Sequence, residues 1–315
     1  MRRTTKLFIC VLIFLLIILF RLNKLNSPFS ICFLGDDDCR MTQETGEELD
    51  HTRELQRLPT VLIIGMRKGG TRALIDALCL NPQVAAARRE IHYFDSFYDR
   101  GVEWYRSQMP VSSQSQITIE KTPSYITSPK AAQRVYDFNP NMKLLVILRD
   151  PVARTISDFT QVQQQRLEKN SSQPVDNFEH VAFMSGTQQI NVHYKPIANS
   201  LYHQHFRSWL AFFPLSQFHI VDGDLFIKNP LEELKKVEVF LGLKPQIQSN
   251  QLMFNQQKGF FCFRPKHRLQ FRCLGKTKGR TQIKIDSKLR DLLVSNFRSE
   301  NEKFFQLIGR RFTWS

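Results

Sequence analysis

Carboxylates are scarce here relative to cations. Asp and Glu total 29 against 44 Lys and Arg, a formal net charge of +15 at pH 7. Such an excess suits an anionic partner rather than a cationic one. None of the six cysteines stands in C-x-x-C spacing, which argues against a zinc ribbon or finger. No internal repeat is visible. No G-x-x-x-x-G-K-[ST] loop occurs, which disfavours an ordinary Walker-type NTPase. No apolar run reaches the roughly 20 residues of a typical membrane span. The candidate, Leu7–Phe20, has fourteen uncharged apolar residues.

That run is nonetheless flanked in an informative way. Arg2, Arg3 and Lys6 precede it, and Arg21 and Lys24 follow. Thin early-secretory membranes accept shorter spans, and flanking Lys and Arg snorkel. The cations on the N-terminal side predict a cytoplasmic N-terminus. No small-x-small cleavage site follows, so an uncleaved signal anchor (7–20, after a cytoplasmic tail 1–6) is favoured over a cleaved signal peptide. Residues 21–58 are polar and aperiodic and read as a stem or linker. Residues 59–315 suffice for one large luminal domain. A luminal domain does not normally meet nucleic acid, so an anionic polysaccharide is the expected partner. In an oxidising lumen Cys262 and Cys273 read as a disulfide closing a hairpin-sized loop, Cys32 and Cys39 are a possible pair, and Cys10 and Cys79 read as buried thiols. Asn170-Ser171-Ser172 is a glycosylation sequon.

The segment Val61–Leu80, VLIIGMRKGGTRALIDALCL, carries the strongest functional signal. A short apolar strand runs into a turn with Gly65, Gly69 and Gly70, and Thr71 opens a helix with Leu74, Ile75 and Leu78 on one side. Such a turn directs backbone N–H groups and the positive end of a helix at one spot. Lys68 and Arg72 add cations, and the spot suits a phosphate or sulfate-like anion. Lysine precedes the glycine pair, unlike the nucleotide loop.

Further strands are expected at Gln83–Ala87, Ile117–Glu120, Leu144–Leu148 and His219–Val221. Helices are expected at Lys130–Tyr136, Val152–Gln165, Tyr202–Phe212 and Leu231–Leu241, with one or two more in Lys288–Leu307. Alternating strands and helices argue for an α/β domain, a parallel sheet flanked by helices. Ligands then bind beyond the carboxyl ends of the strands. The glycine loop, Glu120-Lys121 and Arg149-Asp150 all fall there. Arg149 offers a forked donor for phosphate, or a surface ion pair with Asp150 or Asp158. If Glu90–Asp95 stays extended, Glu90 and His92 share a face, with Glu90 a candidate base and His92 a donor to developing charge.

Seven ordered blocks then carry a resemblance. They are RKGGTRAL (67–74), EIHYFD (90–95), EKTPSY (120–125), LRDPVARTISDFTQ (148–161), SLYHQHFRSWLAFFP (200–214), VDGDLFIKNP (221–230) and KGFFC…C…KGR (258–280). Together they resemble the heparan sulfate glucosamine 3-O-sulfotransferases from about Pro59 to the end. The resemblance implies a P-loop-like sulfotransferase fold and 3′-phosphoadenylyl sulfate as donor. It implies that Lys68, Gly69, Gly70, Thr71 and Arg72 form the 5′-phosphosulfate loop, that Arg149 and Ser157 hold the 3′-phosphate, and that Lys278, Gly279 and Arg280 form a second donor loop behind the Cys262–Cys273 disulfide. It makes Glu90 the base, assisted by Lys68, His92 and Lys121, and lines the acceptor site with Arg89, Asp95, Lys121, Gln161 and Trp209. The implied acceptor is the glucosamine 3-hydroxyl of heparan sulfate, in the Golgi, with the domain membrane-anchored or released into the lumen. Transfer is expected to need no metal, because sulfate carries less charge than a phosphoryl group. Arg67, Arg88, Arg89, Lys195, Arg264, Lys266, His267 and Arg268 are candidates for binding sulfated sugar. The sequence departs from the family at Arg88-Arg89, at Tyr93, and at Gln282, where a His is usual. The competing readings are a sulfotransferase for another glycan position or for N-sulfation, and a heparin-binding protein with an inactive site.

Overall fold

Five short strands buried on both faces organise the chain. The computed structural model describes residues 55–168, 177–275 and 282–314. The expected anchor at 7–20, the residues Cys10, Cys32 and Cys39, the sequon at Asn170 and the loop Lys278–Arg280 lie outside the described residues. In chain order the strands are β1 (Leu55–Gln56), β2 (Val61–Gly65), β3 (Val84–Ala87), β4 (Val111–Ser112), β5 (Ile117–Lys121), β6 (Lys143–Leu148), β7 (Phe218–Asp222), β8 (Leu252–Asn255) and β9 (Phe260–Phe263). The helices are α1 (Thr71–Leu78), α2 (Gly101–Ser107), α3 (Ala131–Phe138), α4 (Pro151–Glu168), α5 (Phe178–Ala182), α6 (Lys195–Ala198), α7 (Tyr202–Leu210), α8 (Gly223–Lys228), α9 (Pro230–Leu241) and α10 (Ser287–Ile308).

The central sheet has the order β3-β5-β2-β6-β7, and every pairing is parallel. Side chains alternate across a strand, so the apolar runs of β2 and β6 serve two cores at once. Leu62, Ile64, Leu144, Val146 and Leu148 face α3, α7 and the end of α10. Val61, Ile63, Leu145 and Ile147 face α1 and α9. A third cluster joins the start of α4 (Val152, Ile156, Phe159) to Leu293 and Phe297 of α10. Each fully buried Leu, Ile or Phe contributes roughly 1.5–3 kcal/mol relative to exposure.

Observed boundaries follow local chemistry. α4 begins at Pro151, whose missing N–H costs nothing in a first turn, and Asp150 Oδ1 accepts the Ala153 amide at 2.8 Å. α7 stops at Leu210, short of the expected Phe212, because Pro214 disfavours helical geometry just before it. The C-terminal segment is one helix of 22 residues, capped by Asp286 and ended by left-handed Gly309. β8 and β9 form a hairpin beside the sheet, and the Cys262 and Cys273 sulfurs are bonded at 2.05 Å. Among the described residues, no helix is long and apolar enough to cross a membrane.

Candidate active site

The carboxyl ends of β2, β5 and β6 open into a cleft of about 810 Å³. Its one wall is the turn from β2 to α1. Gly69 lies so close to β6 that a Cβ there would collide with the Ile147 carbonyl oxygen. Gly70 sits at φ 117°, where L side chains are strained, and serves as the N-cap of α1. No side chain caps α1, and no acidic residue stands in its first turn. Gly70, Thr71 and Arg72 all line the cleft, so the positive end of the helix faces it. Lys68 enters from the same turn, and its Nζ donates to Gln161 Oε1 on α4 at 2.8 Å.

Arg149 and Ser157 line the same cleft from β6 and α4. The Arg149 guanidinium reaches Asp224 at 3.3 Å, not Asp150 or Asp158. Asp224 also accepts the Asp150 amide at 2.7 Å, which fixes the turn between β6 and α4. Asp158 instead joins Arg67 (2.7 Å) and buried Arg154 (2.9 Å), and their charges hold its carboxyl below the ordinary range against the opposing effect of burial. Arg67 is therefore tied to α4, and its side chain, 40% exposed, lines the cleft. Arg72 pairs with Asp76 and donates to the Arg88 carbonyl, and Arg88 closes on the same Asp76 carboxylate. Of the Arg88–Arg89 pair, only Arg89 is exposed.

The opposite wall is the irregular segment after β3. Glu90 Oε1 accepts from Lys121 Nζ at 2.6 Å, while Glu90 Oε2 lies 3.7 Å from His92 Nε2. Lys121 is 3% exposed and its partner 44%, so a buried cation holds a carboxylate at the cleft surface. His92 Nδ1 is 3.0 Å from Asp95 Oδ2, and an ionised carboxylate only accepts, so Nδ1 carries a proton. Ser124 donates to Asp95 at 2.6 Å. The segment is not extended as expected: His92 sits at φ 58°, a left-handed residue. Its ring is thereby set between the two carboxylates.

Most of the sequence-predicted residues come together in this cleft: Lys68, Gly70, Thr71, Arg72, Glu90, His92, Arg149, Ser157, Gln161 and Gln282 line it. Lys121 and Asp95 stand behind Glu90 and His92 as supports. Trp209 does not belong to the site. It is 1% exposed in the core, its indole N–H donates to the Ile126 carbonyl, and its ring stacks on Phe213. A side chain so enclosed offers no surface to a saccharide. Lys195, Lys266, His267 and Arg268 are exposed outside the lining, and Arg264 donates to the Asn250 carbonyl.

Ser124, Lys258 and the buried state of Glu120 escaped sequence reading. Ser124 and Lys258 line the cleft. Glu120 is a fully buried carboxylate bonded to Thr122 at 2.6 Å and Tyr105 at 3.3 Å. Burial pushes its carboxyl up to about 7, against the lowering effect of its hydroxyl partners and of Lys121. A carboxylate in a strand buried on both faces was the available signal. Among the described residues, no cluster of three or more His, Cys, Asp or Glu is disposed to hold a metal.

The Sulfotransferase domain family matches residues 58–298. Heparan sulfate glucosamine 3-O-sulfotransferase 5 of Mus musculus is 43% identical over 274 residues, 86% of this chain and 78% of its own length. The Homo sapiens protein of that name is 44% identical over 263 residues, 82% and 75% of the two chains. Heparan sulfate glucosamine 3-O-sulfotransferase 6 of Mus musculus is 40% identical over 260 residues, 82% and 74%. Among solved structures, a sulfotransferase from Alicyclobacillus acidocaldarius shares the fold with a TM-score of 0.60 at 20% identity, covering 82% of this chain and 98% of its own.

Proposed function

Because the chain belongs to the heparan sulfate glucosamine 3-O-sulfotransferase family and is a sulfotransferase, we propose that it sulfates the 3-hydroxyl of glucosamine in heparan sulfate. The donor in this reading is 3′-phosphoadenylyl sulfate, which supplies a sulfuryl group carried on a phosphate oxygen. The chain fits that donor: an uncapped helix N-terminus, a glycine that admits close backbone approach, and Lys68, Arg149 and Ser157 on one cleft. Lys68 and the turn around Gly69 and Gly70 hold its 5′ end, and Arg149 and Ser157 hold its 3′-phosphate. Lys278, Gly279 and Arg280 join them on the strength of the sequence blocks alone.

The observation that carries the reaction is Glu90, presented at the cleft surface by Lys121 and flanked by His92. A sugar hydroxyl is a poor nucleophile until a positioned carboxylate takes its proton. Glu90 accepts that proton as the hydroxyl oxygen bonds to sulfur. The bond from sulfur to the phosphate oxygen breaks, and its electron pair leaves on that oxygen. Lys68 offsets the charge developing there, and His92, oriented by Asp95, assists at the sulfuryl oxygens. The work is mostly positioning and neutralisation. We propose that no metal takes part, since the transferred group carries less charge than a phosphoryl group. Arg89, Arg264, Lys266, His267 and Arg268 are proposed contacts for the polyanionic chain.

The proposed setting is the Golgi membrane, with residues 7–20 as a type II anchor and the domain in the lumen. Its support is the Leu7–Phe20 run, the cations around it and the Asn170 sequon. The deciding experiment is transfer of radiolabel from 3′-phosphoadenylyl sulfate to heparan sulfate, followed by disaccharide analysis, with wild type and Glu90→Gln compared. Label at the 3-position, lost in Glu90→Gln and unchanged by chelator, supports the proposal. Label at another position, or full activity in Glu90→Gln, overturns it.

A further inference from the structure

Residues 91–94 belong to no helix or strand, yet they carry the groups that flank the proposed base. Buried backbone N–H groups in such a segment need acceptors from elsewhere. Two hydroxyls supply them for four consecutive residues. Thr122 Oγ1 accepts from Ile91 N at 3.1 Å and from His92 N at 3.2 Å. The Tyr125 hydroxyl accepts from Tyr93 N at 2.9 Å and from Phe94 N at 3.5 Å. A hydroxyl that accepts twice has one proton left to give. Thr122 gives its proton to Glu120 Oε1 at 2.6 Å. Tyr105 donates to Oε2 at 3.3 Å. All four side chains lie within residues exposed by no more than a trace. The Thr122 amide is tied in turn to Ile63 O of β2, at 3.2 Å, one strand from the Lys68 turn.

We propose that Glu120, Thr122 and Tyr125 are positioning residues: the buried Glu120 carboxylate orients the Thr122 hydroxyl, and the Thr122 and Tyr125 hydroxyls hold the backbone of residues 91–94 so that left-handed His92 and nearby Glu90 meet the acceptor hydroxyl. The inference rests on the assignment of Glu90 and His92 to the reaction. Above about pH 7, where Glu120 is ionised, its carboxylate only accepts, and that fixes the polarity of the chain. With the Thr122 proton committed to Glu120, both lone pairs of that oxygen face the Ile91 and His92 amides. Gln at position 120 puts a donor beside its acceptor, and where that donor meets Thr122 the hydroxyl oxygen must turn toward it and surrender an N–H. Val at position 122 keeps the shape and removes the acceptor of Ile91 and His92. Ser at position 122 restores it.

The test uses purified protein with heparan sulfate and 3′-phosphoadenylyl sulfate, below the unfolding temperature of each variant. Thr122→Val, Tyr125→Phe and Glu120→Gln are expected to lower kcat by about 10- to 100-fold, because small displacements of a reacting group are costly. Affinity for adenosine 3′,5′-bisphosphate, read by calorimetry, stays at the wild-type value, and Thr122→Ser recovers most of the rate. In a His92→Asn background the loss from Thr122→Val shrinks, since the two changes act on the same group. A merely structural role lowers the melting temperature and leaves kcat of the folded protein intact, and that result overturns the proposal. Equal loss in the presence and absence of His92 does so too. Glu90→Gln is run alongside: if it retains full activity, the assignment of the base fails, whereas an inactive Glu90→Gln beside fully active Thr122→Val and Tyr125→Phe fails the positioning proposal alone.

Discussion

The two walls of the cleft are built by different means. The donor-side wall is backbone: a glycine turn, a left-handed N-cap and an uncapped helix end, all within Gly65–Arg72. The acceptor-side wall is side chains: Glu90 on Lys121, His92 on Asp95, and four amides on the hydroxyls of Thr122 and Tyr125. A backbone site recognises an anion by amides and dipole, with Lys68 adding a cation. A side-chain site depends on residues some thirty positions apart in sequence being brought into register by a parallel strand pair. Ala87 pairs with Glu120 in that register, which is why the segment after β3 falls beside Lys121 and Thr122.

On the donor side, the largest effect expected from breaking this contrast comes from Lys68→Ala. It removes the cation at the leaving oxygen, and turnover falls by about 10²- to 10³-fold. Donor-product affinity falls as well, in contrast to changes on the other wall. Steady-state kinetics and calorimetry on one preparation read both. A smaller effect concerns Glu120. Its carboxyl titrates near 7 in the folded chain, above its ordinary value of 4.5, so the folded state holds this proton more tightly than the unfolded one. The stability it contributes is complete below about pH 4.5 and is lost as pH rises through about 7. Glu120→Gln removes that dependence. The melting temperature of the variant minus that of wild type is expected to climb between about pH 5 and pH 8, and a flat difference contradicts the burial argument. The smallest effect is at Trp209. Trp209→Phe loses the hydrogen bond to Ile126 O, a cost of about 1 kcal/mol in stability. The acceptor KM should stay at the wild-type value, since the ring lies in the core.

The same contrast explains what was legible in the sequence. The donor turn could be read because its signal is local: strand, glycines, lysine and helix in twenty consecutive residues. The apolar runs located the central strands to within a residue or so, because strands buried on both faces are continuous in hydrophobicity. Gln161 was reached through the family blocks alone, whereas Glu90 and Lys121 were also marked by their place beyond the strand ends, Glu90 as a candidate base by its spacing with His92. The Glu120 cluster was missed although Thr122 and Tyr125 share its EKTPSY block, because Tyr105 comes from α2 and the amides held by the hydroxyls come from the segment after β3. Trp209 was misplaced for the opposite reason. Its block was matched, yet Tyr202, Phe206 and Trp209 repeat at helical spacing, which marks the buried stripe of α7 rather than a sugar contact.

The central claim is that one wall holds the donor and the other carries the reaction. The most direct measurement compares Glu90→Gln with wild type in two readings, calorimetric affinity for adenosine 3′,5′-bisphosphate and single-turnover transfer to heparan sulfate. The account predicts an unchanged affinity and a transfer rate lower by about 10²- to 10⁴-fold. Full transfer, or loss of donor affinity in step with the rate, would contradict it.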